Sequence, residues 1–134
     1  MVQRKLEENE AEKREVFAAS LVHIMYEVLP EVMMNQFGNY LCQKLIEVCS
    51  VDSLKLLVKA VVPSLVDISM DLHGTRCIQT LVEVLGVQPA ALHSEILAIG
   101  AEMSQCIFYL TTHPNGNHVI QALLLTFKAS DEPE

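Results

Sequence analysis

The sequence predicts an all-α fold, an α-solenoid in which about three three-helix repeats stack into a partial array. A gap-free internal repeat carries this prediction: residues 37–47, 73–83 and 115–125 each have Gly at the second position and Gln at the seventh. The glycines at 38, 74 and 116 are spaced by 36 and 42 residues, which is typical of stacked helical units. Composition agrees, because aromatic residues make up only 5% of the chain and β-sandwiches favour aromatic and β-branched strands.

The first predicted element is a long N-terminal helix. Residues 8–28 contain neither Gly nor Pro, and their apolar residues recur at helical intervals. These apolar residues are Phe17, Leu21, Ile24, Met25 and Val28. We interpret residues 1–28 as a charged N-terminal helix that closes an incomplete preceding repeat, with the mixed charges of residues 4–15 on its solvated face.

Three repeats follow, at about residues 29–64, 65–100 and 101–128, and the last of them is incomplete. In each repeat a helix begins near the repeated Gly and is expected to bury one apolar stripe at positions i, i+3, i+4 and i+7. The stripes are Cys42, Leu45, Ile46 and Cys49; Ile78, Leu81, Val82 and Leu85; and Ile120, Leu123, Leu124 and Phe127.

Shorter helices are predicted on either side of these central helices. Those before them are expected at residues 29–34, 65–70 and 107–111. Those after them are expected at residues 53–62, with Asp52 or Ser53 as the N-cap, and at residues 90–99. Residues 129–134 are assigned to an acidic tail.

Each repeated segment also places three polar or flat side chains on one small patch of its helix. The residue after the Gly lies four positions before the Gln, and the next residue lies three positions before it, so all three converge. Asn and Gln amides match the hydrogen-bonding edge of a base, and Tyr, Arg and His offer flat stacking surfaces. The candidate RNA-binding residues are Asn39, Tyr40 and Gln43; Thr75, Arg76 and Gln79; and Asn117, His118 and Gln121. This pattern favours binding of single-stranded RNA with one repeat per nucleotide.

The segments GNYLCQ, GTRCIQ and GNHVIQ resemble the repeats of the Pumilio (PUF) family of RNA-binding proteins, over about residues 29–128. The resemblance implies a right-handed superhelix in which three residues on the second helix of each repeat read one base. The first and last of the three meet the edge of the base, and the middle one stacks on it. The resemblance also implies a cytoplasmic protein that regulates mRNA translation or decay through 3′-untranslated sites, with repressor or deadenylation proteins as partners.

The resemblance further implies a base preference for each repeat. The first and third triads, each an Asn–Gln pair around an aromatic ring, would read uracil. Family repeats that read adenine have Cys or Ser where this sequence has Thr75, so we expect a relaxed preference for adenine in the middle repeat. Because family RNA runs antiparallel to the protein, the expected core site is 5′-U-(A or any)-U-3′.

Two alternatives stay open at this point. An armadillo-like or HEAT-like scaffold that binds another protein would suit the net charge of −8. A truncated Pumilio fragment with little RNA affinity would suit the short array, because family arrays generally have eight repeats. The repeated triad favours RNA, since a generic scaffold has no need for it. With this acidic composition, we expect stacking, about 1–3 kcal/mol per base, to contribute more than attraction to phosphates.

The sequence predicts no catalytic site, metal site, cofactor or small-molecule substrate. It lacks a nucleophile elbow, a phosphate loop and a His-Glu-x-x-His segment, so an enzyme is not expected. The cysteines, at 42, 49, 77 and 106, do not have zinc-site spacing and fit a reducing compartment. Cys42, Cys49 and Cys77 align with apolar positions of the other repeats and are predicted to be small buried hydrophobes. Polar residues throughout the uncharged stretch 103–127 argue against a membrane span.

Structural roles compete for several of these residues. The repeated glycines could be conformationally permissive turn residues or sites of close packing. Arg76 could form a surface ion pair with Asp71 or Glu83. His73 and His113 border the glycine turns, where capping is expected rather than metal binding.

Overall fold

The computed structural model describes the backbone of residues 2–131 and the side chains of residues 8–127. Every regular element in this range is helical, so the all-α prediction is confirmed. The α-helices are α1 (Val2–Met25), α2 (Leu29–Met33), α3 (Gly38–Val48), α4 (Val51–Val61), α5 (Leu65–Met70), α6 (Gly74–Leu85), α7 (His93–Ser104), α8 (Ile107–Thr111) and α9 (Gly116–Asp131). A short 3-10 helix at Val62–Ser64 joins α4 to α5.

The helices stack as repeated groups. The first repeat contains α2–α4, the second contains α5–α7, and the third contains α8 and α9. The second helices of the three repeats lie side by side, because α6 packs against both α3 and α9. Helix α1 packs against α3 and α4, where the closing helix of a preceding repeat would lie. This is the predicted solenoid, with the short helices predicted at residues 65–70 and 107–111 in their expected places.

One continuous apolar core runs through the stack, and the predicted stripes supply most of it. In the first two repeats the stripe residues are buried, except for the half-buried Cys49. In the third repeat Leu123 is buried, whereas Ile120 and Phe127 are half-buried. The prediction of burial is wrong for Leu124, which is exposed because no described element packs over that side of α9.

The closing helix of the first repeat begins earlier than predicted. Helix α4 begins at Val51, and its N-cap is Ser50 rather than Asp52 or Ser53. The backbone at Ser50 is extended, and its hydroxyl oxygen accepts a hydrogen bond from the backbone N–H of Ser53 at 3.3 Å. This bond satisfies one of the free N–H groups in the first turn of the helix.

The closing helix of the second repeat begins and ends later than the predicted residues 90–99. Residues 86–92 form turns, and α7 begins only at His93. Gly100 lies within the helix, and the aromatic ring of Phe127 fills the space beside it. A Cβ at Gly100 would lie 2.9 Å from Cζ of Phe127, so this glycine is a packing residue within the helix.

The two charged ends are only partly described. Residues 8–15 are exposed on α1, as expected for a solvated face, and the side chains of residues 4–7 lie outside the described residues. The predicted acidic tail also lies outside the described side chains, although the backbone of residues 129–131 continues α9. Among the described residues, no helix combines the length and the apolar character that a bilayer span requires.

The repeated glycines let each second helix begin directly against the short helix before it. None of the described glycines has a positive φ, so the left-handed backbone that favours glycine is not the reason for them. A Cβ on Gly74 would overlap the carbonyl oxygen of Ile68, and a Cβ on Gly38 would lie 2.7 Å from the carbonyl oxygen of Val32. At Gly116 the fit is looser but still tight, since a Cβ would lie 3.1 Å from the carbonyl oxygen of Leu110. Of the two interpretations of these glycines, the structure supports close packing.

Replacing Gly74 with Ala is therefore expected to destabilise the fold. The added methyl group would force α6 away from α5, and overpacking of this kind costs about 1–3 kcal/mol. Gly86→Ala is the matched control, because its Cβ would meet neighbours only at 3.4 Å and its φ of −68° suits any residue. Urea unfolding should show a lower midpoint for Gly74→Ala and a midpoint close to wild type for Gly86→Ala. Equal midpoints for the two variants would contradict the close-packing role.

Candidate nucleic-acid interface

The nine candidate residues occupy equivalent positions on the three second helices. Each triad lies one, two and five residues after the glycine that begins α3, α6 or α9. Because α6 packs against both of the other helices, the triads form a row across the array. We call this surface the triad face: Asn39, Tyr40 and Gln43; Thr75, Arg76 and Gln79; and Asn117, His118 and Gln121.

The middle residue of each triad is exposed. Tyr40 is 60% exposed, and Arg76 and His118 are also exposed. A phenol ring, a guanidinium group and an imidazole ring therefore stand at equivalent points on neighbouring helices. All three are planar groups on which a nucleobase can stack.

Arg76 does not form the ion pair that competes with a role in stacking. The structure shows no ion pair between Arg76 and either Asp71 or Glu83. Instead, the Asp71 carboxylate accepts hydrogen bonds from the backbone N–H groups of His73 at 2.9 Å and Gly74 at 2.8 Å. Asp71 is thus a capping residue for α6, and the guanidinium group keeps its donors for another partner.

The first residue of the triads in the first and third repeats is an anchored amide. Asn39 is fully buried, and its Nδ2 donates to the carbonyl oxygens of Asn35 at 2.9 Å and Gln36 at 3.1 Å. Asn117 makes the equivalent pair of bonds in its own repeat, at 2.6 and 3.0 Å. The sequence predicts a surface patch, but Asn39 lies beneath the surface because its amide ties the preceding turn to the helix.

The glutamine completes each of these pairs. Nε2 of Gln43 donates to Oδ1 of Asn39 at 3.1 Å, and Nε2 of Gln121 donates to Oδ1 of Asn117 at 2.9 Å. Within the part of the chain that the structure describes, the glutamine carbonyl oxygen and its second amide hydrogen have no protein partner. Each pair therefore offers one acceptor and one donor side by side, which is the combination that the edge of a base requires.

The middle repeat differs, because its first triad residue joins two repeats. The hydroxyl of Thr75 donates to the carbonyl oxygen of Asn115 at 3.0 Å and accepts from Nε2 of Gln79 at 3.3 Å. The side chain of Asn115 in turn donates to the carbonyl oxygen of Met70 at 3.1 Å. Thr75 is buried, and Gln79 is the only amide side chain in this triad.

Three equivalent residues cap the second helices, and the sequence analysis foresaw only one of them, His113. Asn35, Asp71 and His113 lie three residues before the glycines, and each accepts hydrogen bonds from two backbone N–H groups at the start of the following helix. The expected capping role is confirmed for His113, whose Nδ1 accepts at 3.0 and 3.2 Å. The contribution of His73 comes from its backbone, whose N–H donates to Asp71 and whose carbonyl oxygen accepts from the N–H of Arg76. The signal was present, since a side-chain acceptor recurs at one position in all three repeats.

The cysteines are packing groups. Cys42 and Cys77 are fully buried between the first two repeats, as predicted, and Sγ of Cys77 contacts the carbonyl oxygen of Asn39 at 3.4 Å. The hydrogen bond that the Cys77 thiol makes to Cys42, together with burial, raises the pKa of Cys77, and burial raises the pKa of Cys49 to about 11. These two thiols stay protonated and weakly nucleophilic at neutral pH. The described residues contain no group of three His, Cys, Asp or Glu side chains that could hold a metal ion.

The sequence is similar to known RNA-binding repeat proteins. The sequence profile of the Pumilio-family RNA binding repeat (PUF) matches residues 29–62, 64–87 and 106–129. Pumilio homolog 12 of Arabidopsis thaliana is 40% identical over 99 residues, which make up 72% of this chain. The chain spans only 16% of the length of that relative.

Solved structures share the same architecture. A Puf4 mutant bound to the Cox17 RNA 3′ UTR recognition sequence has a TM-score of 0.74 and 29% identity, over 85% of this chain and 37% of that one. APUM23 with GGAGUUGACGG has a TM-score of 0.84 over 92% of this chain and 24% of that one, and at 18% identity it shows the fold alone. Since the matched repeats cover more than half of the sequence, this chain belongs to the Pumilio (PUF) family of RNA-binding repeat proteins.

Proposed function

We propose that this chain binds single-stranded RNA through the triad face, with one base per repeat. The observation that carries the proposal is the repetition itself: three neighbouring helices present an exposed planar group beside a glutamine that is tied to the first triad residue. The Puf4 mutant structure supports the choice of ligand, because that protein is bound to a 3′ UTR recognition sequence. Binding to 3′-untranslated regions of mRNA, and hence post-transcriptional regulation, is the function that fits best.

The Asn–Gln triads suit uracil. The Watson–Crick edge of uracil presents a donor, N3–H, between two acceptor oxygens. The carbonyl oxygen of Gln43 can accept from N3–H while its amide donates to a neighbouring uracil oxygen. Asn39 holds the side-chain amide of Gln43 in place through a hydrogen bond, and Tyr40 provides the stacking plane. The third repeat repeats this chemistry, with His118 as the plane.

The middle triad suits a less selective position. The hydroxyl hydrogen of Thr75 is used within the protein, on the carbonyl oxygen of Asn115. Gln79 is then the main polar contact for a base, and Arg76 can stack on either a purine or a pyrimidine. The proposed core site is 5′-U-(A or any)-U-3′, with residues 29–128 as the RNA-binding array, residues 1–28 as the closing helix of a preceding repeat and residues 129–134 as an acidic tail.

The proposed role is binding rather than catalysis. The triads contain no nucleophile with an adjacent base, and their polar groups are amides, a hydroxyl, a guanidinium and an imidazole. A binder of mRNA acts in the cytoplasm by recruiting other proteins, and repressor or deadenylation proteins are the proposed partners. No observation favours the armadillo-like scaffold over this assignment.

Removing a stacking plane should weaken RNA binding. Tyr40→Ala and His118→Ala should each cost about 1–3 kcal/mol, which is roughly fivefold or more in Kd. Fluorescence anisotropy with a short labelled RNA that contains the U-A-U core measures this. Phe37→Ala is the matched control, because Phe37 is also an exposed aromatic residue and lies just before the triad. Wild-type affinity in Tyr40→Ala would contradict the proposed site.

Changing the edge-reading group should change the preferred base. Gln43→Glu replaces a donor and acceptor with a carboxylate that only accepts, so it should repel the uracil oxygens. Guanine offers two donors, N1–H and N2–H, that a carboxylate can accept. The ratio of affinities for RNAs with U or G at the 3′ position of the core should therefore shift towards G.

Lys44→Gln controls for the altered charge in that experiment. It makes the same change of one charge unit on an exposed neighbour, whose 3.7 Å contact with Glu47 lies at the surface and contributes little. It should weaken binding of both RNAs by the same factor. A U-to-G ratio that is unchanged in Gln43→Glu would show that Gln43 does not read the base.

Salt should affect binding only weakly. Each phosphate neutralised on a single strand contributes about −0.7 to the slope of log K against log salt. Arg76 is the only Lys or Arg residue of the triad face, so a slope shallower than about −2 is expected between roughly 50 and 200 mM salt. A much steeper slope would instead indicate nonspecific ionic attraction.

A further inference from the structure

The glutamine of the middle triad is held through a different repeat. In the first and third repeats, the glutamine bonds to an asparagine whose amide is tied to carbonyl oxygens of its own repeat. In the middle repeat, Nε2 of Gln79 donates to Oγ1 of Thr75 at 3.3 Å. Thr75 donates its own hydroxyl hydrogen to the carbonyl oxygen of Asn115 at 3.0 Å. Asn115 belongs to the third repeat, in the turn before α9, so the bonds among these residues form a relay that joins two repeats.

Asn115 is itself fixed by further hydrogen bonds. Its Nδ2 donates to the carbonyl oxygen of Met70, the last residue of α5, at 3.1 Å. Its carbonyl oxygen also accepts from the backbone N–H of His118 at 3.2 Å, and its backbone N–H donates to Nδ1 of His113 at 3.0 Å. The acceptor that Thr75 meets therefore has a fixed position relative to both the second and the third repeat.

The equivalent residues of the other two repeats do not make such a relay. Phe37 and His73 also lie directly before a repeated glycine, and their carbonyl oxygens accept from the backbone N–H groups of Tyr40 and Arg76. Phe37 has no polar side-chain atom. Among the residues that the structure describes, the hydrogen bonds of His73 are made by its backbone. The relay is therefore specific to the junction between the second and third repeats.

We propose that Asn115 is a positioning residue for Gln79, so that a residue of the third repeat sets the base selectivity of the second. The hydroxyl hydrogen of Thr75 points to Asn115, and only the lone pairs of Oγ1 face Gln79. A lone pair accepts a hydrogen bond from an amide nitrogen and repels a carbonyl oxygen. The relay therefore determines which end of the Gln79 amide turns to Thr75 and which end remains for a base.

The orientation of this amide affects the choice between adenine and uracil. The Watson–Crick edge of adenine has one donor, N6–H, beside one acceptor, N1, so it matches a single orientation of an amide. The edge of uracil has a donor between two acceptors and matches either orientation. When the relay is broken, the hydroxyl of Thr75 can donate to the oxygen of Gln79 instead, and the amide can turn over. Adenine then loses more affinity than uracil. This effect on base choice rests on the proposed RNA binding, whereas the relay can be tested without RNA.

NMR of the side-chain amides tests the relay in the free 134-residue chain. Asn115→Leu keeps a side chain of similar size but removes the amide donor, so the carbonyl oxygen at this position should no longer hold Thr75 in one orientation. The Nε2 resonances of Gln79 should shift, and those of Gln43 should stay at their wild-type positions. His73→Ala is the matched control, because it changes the equivalent residue one repeat earlier. It should leave the Gln43 resonances unchanged.

Fluorescence anisotropy then measures the effect on base choice, with RNAs that carry A or U at the middle or the 5′ position of the core. Asn115→Leu should weaken binding of the U-A-U core about two- to tenfold, the range expected for the loss of one hydrogen bond. The A-to-U ratio of affinities should fall at the middle position, which Gln79 reads. The ratio should keep its wild-type value at the 5′ position, which the third repeat reads. His73→Ala should leave the ratio at the 3′ position unchanged.

A second variant breaks the same relay at another point. Thr75→Val removes the hydroxyl and should lower the same A-to-U ratio at the middle position. Adding Asn115→Leu to it should lower this ratio no further, because both changes break one relay. Asn115 lies in a turn outside the helices, so far-UV circular dichroism of Asn115→Leu should show the helix content of wild type.

The outcomes separate the relay from a general loss of structure. Unchanged Gln79 resonances in Asn115→Leu, or an unchanged A-to-U ratio at the middle position, would overturn the proposal. A ratio that changes equally at the middle and 5′ positions would also overturn it, since a general loss of structure affects both. If wild type binds none of these RNAs, the proposed RNA binding fails, and the NMR comparison alone decides whether Asn115 positions Gln79.

Discussion

The close approach of each second helix to the short helix before it determines the geometry of the site. At Gly74 there is no room for a Cβ against the carbonyl oxygen of Ile68, and the Asp71 carboxylate ties the intervening turn to the start of the helix. These contacts fix the residue at which the helix begins, and therefore its rotation. If the helix began one residue earlier or later, it would be turned by about 100°. An apolar stripe residue could then lie on the triad face.

The buried Asn39 fixes the conformation of the more exposed Gln43 side chain in the same triad. Two carbonyl oxygens hold its amide, so its Oδ1 has a fixed position from which to hold Gln43. A free glutamine would lose rotamer entropy when it binds a base, at about 0.5–1.5 kcal/mol for a flexible side chain. Part of that loss has already occurred on folding. The glutamine can keep the bond to Asn39 while its remaining acceptor and donor meet the base.

Local signals in the sequence were enough to predict the repeat, the second helices and the row of triads, because helical spacing alone decides which side chains share a face. The features that were predicted wrongly or missed depend on competing cap residues or on long-range contacts, which local signals do not contain. Ser50 was missed because three polar residues within four positions, Ser50, Asp52 and Ser53, could each cap α4. Thr75 is buried through a bond to the carbonyl oxygen of Asn115, 40 residues away. The exposure of Leu124 depends on what packs beyond α9, which its stripe cannot indicate.

The acidic composition and the short row of triads both limit the affinity that these three repeats can have for RNA. Stacking supplies about 1–3 kcal/mol per base, while association itself costs roughly 4–15 kcal/mol in lost translational and rotational freedom. Three bases therefore leave only a small net affinity, and a chain with a net charge of −8 gains little from phosphates. The cost of association is incurred once however many bases bind, so each further repeat in register adds nearly its full stacking energy.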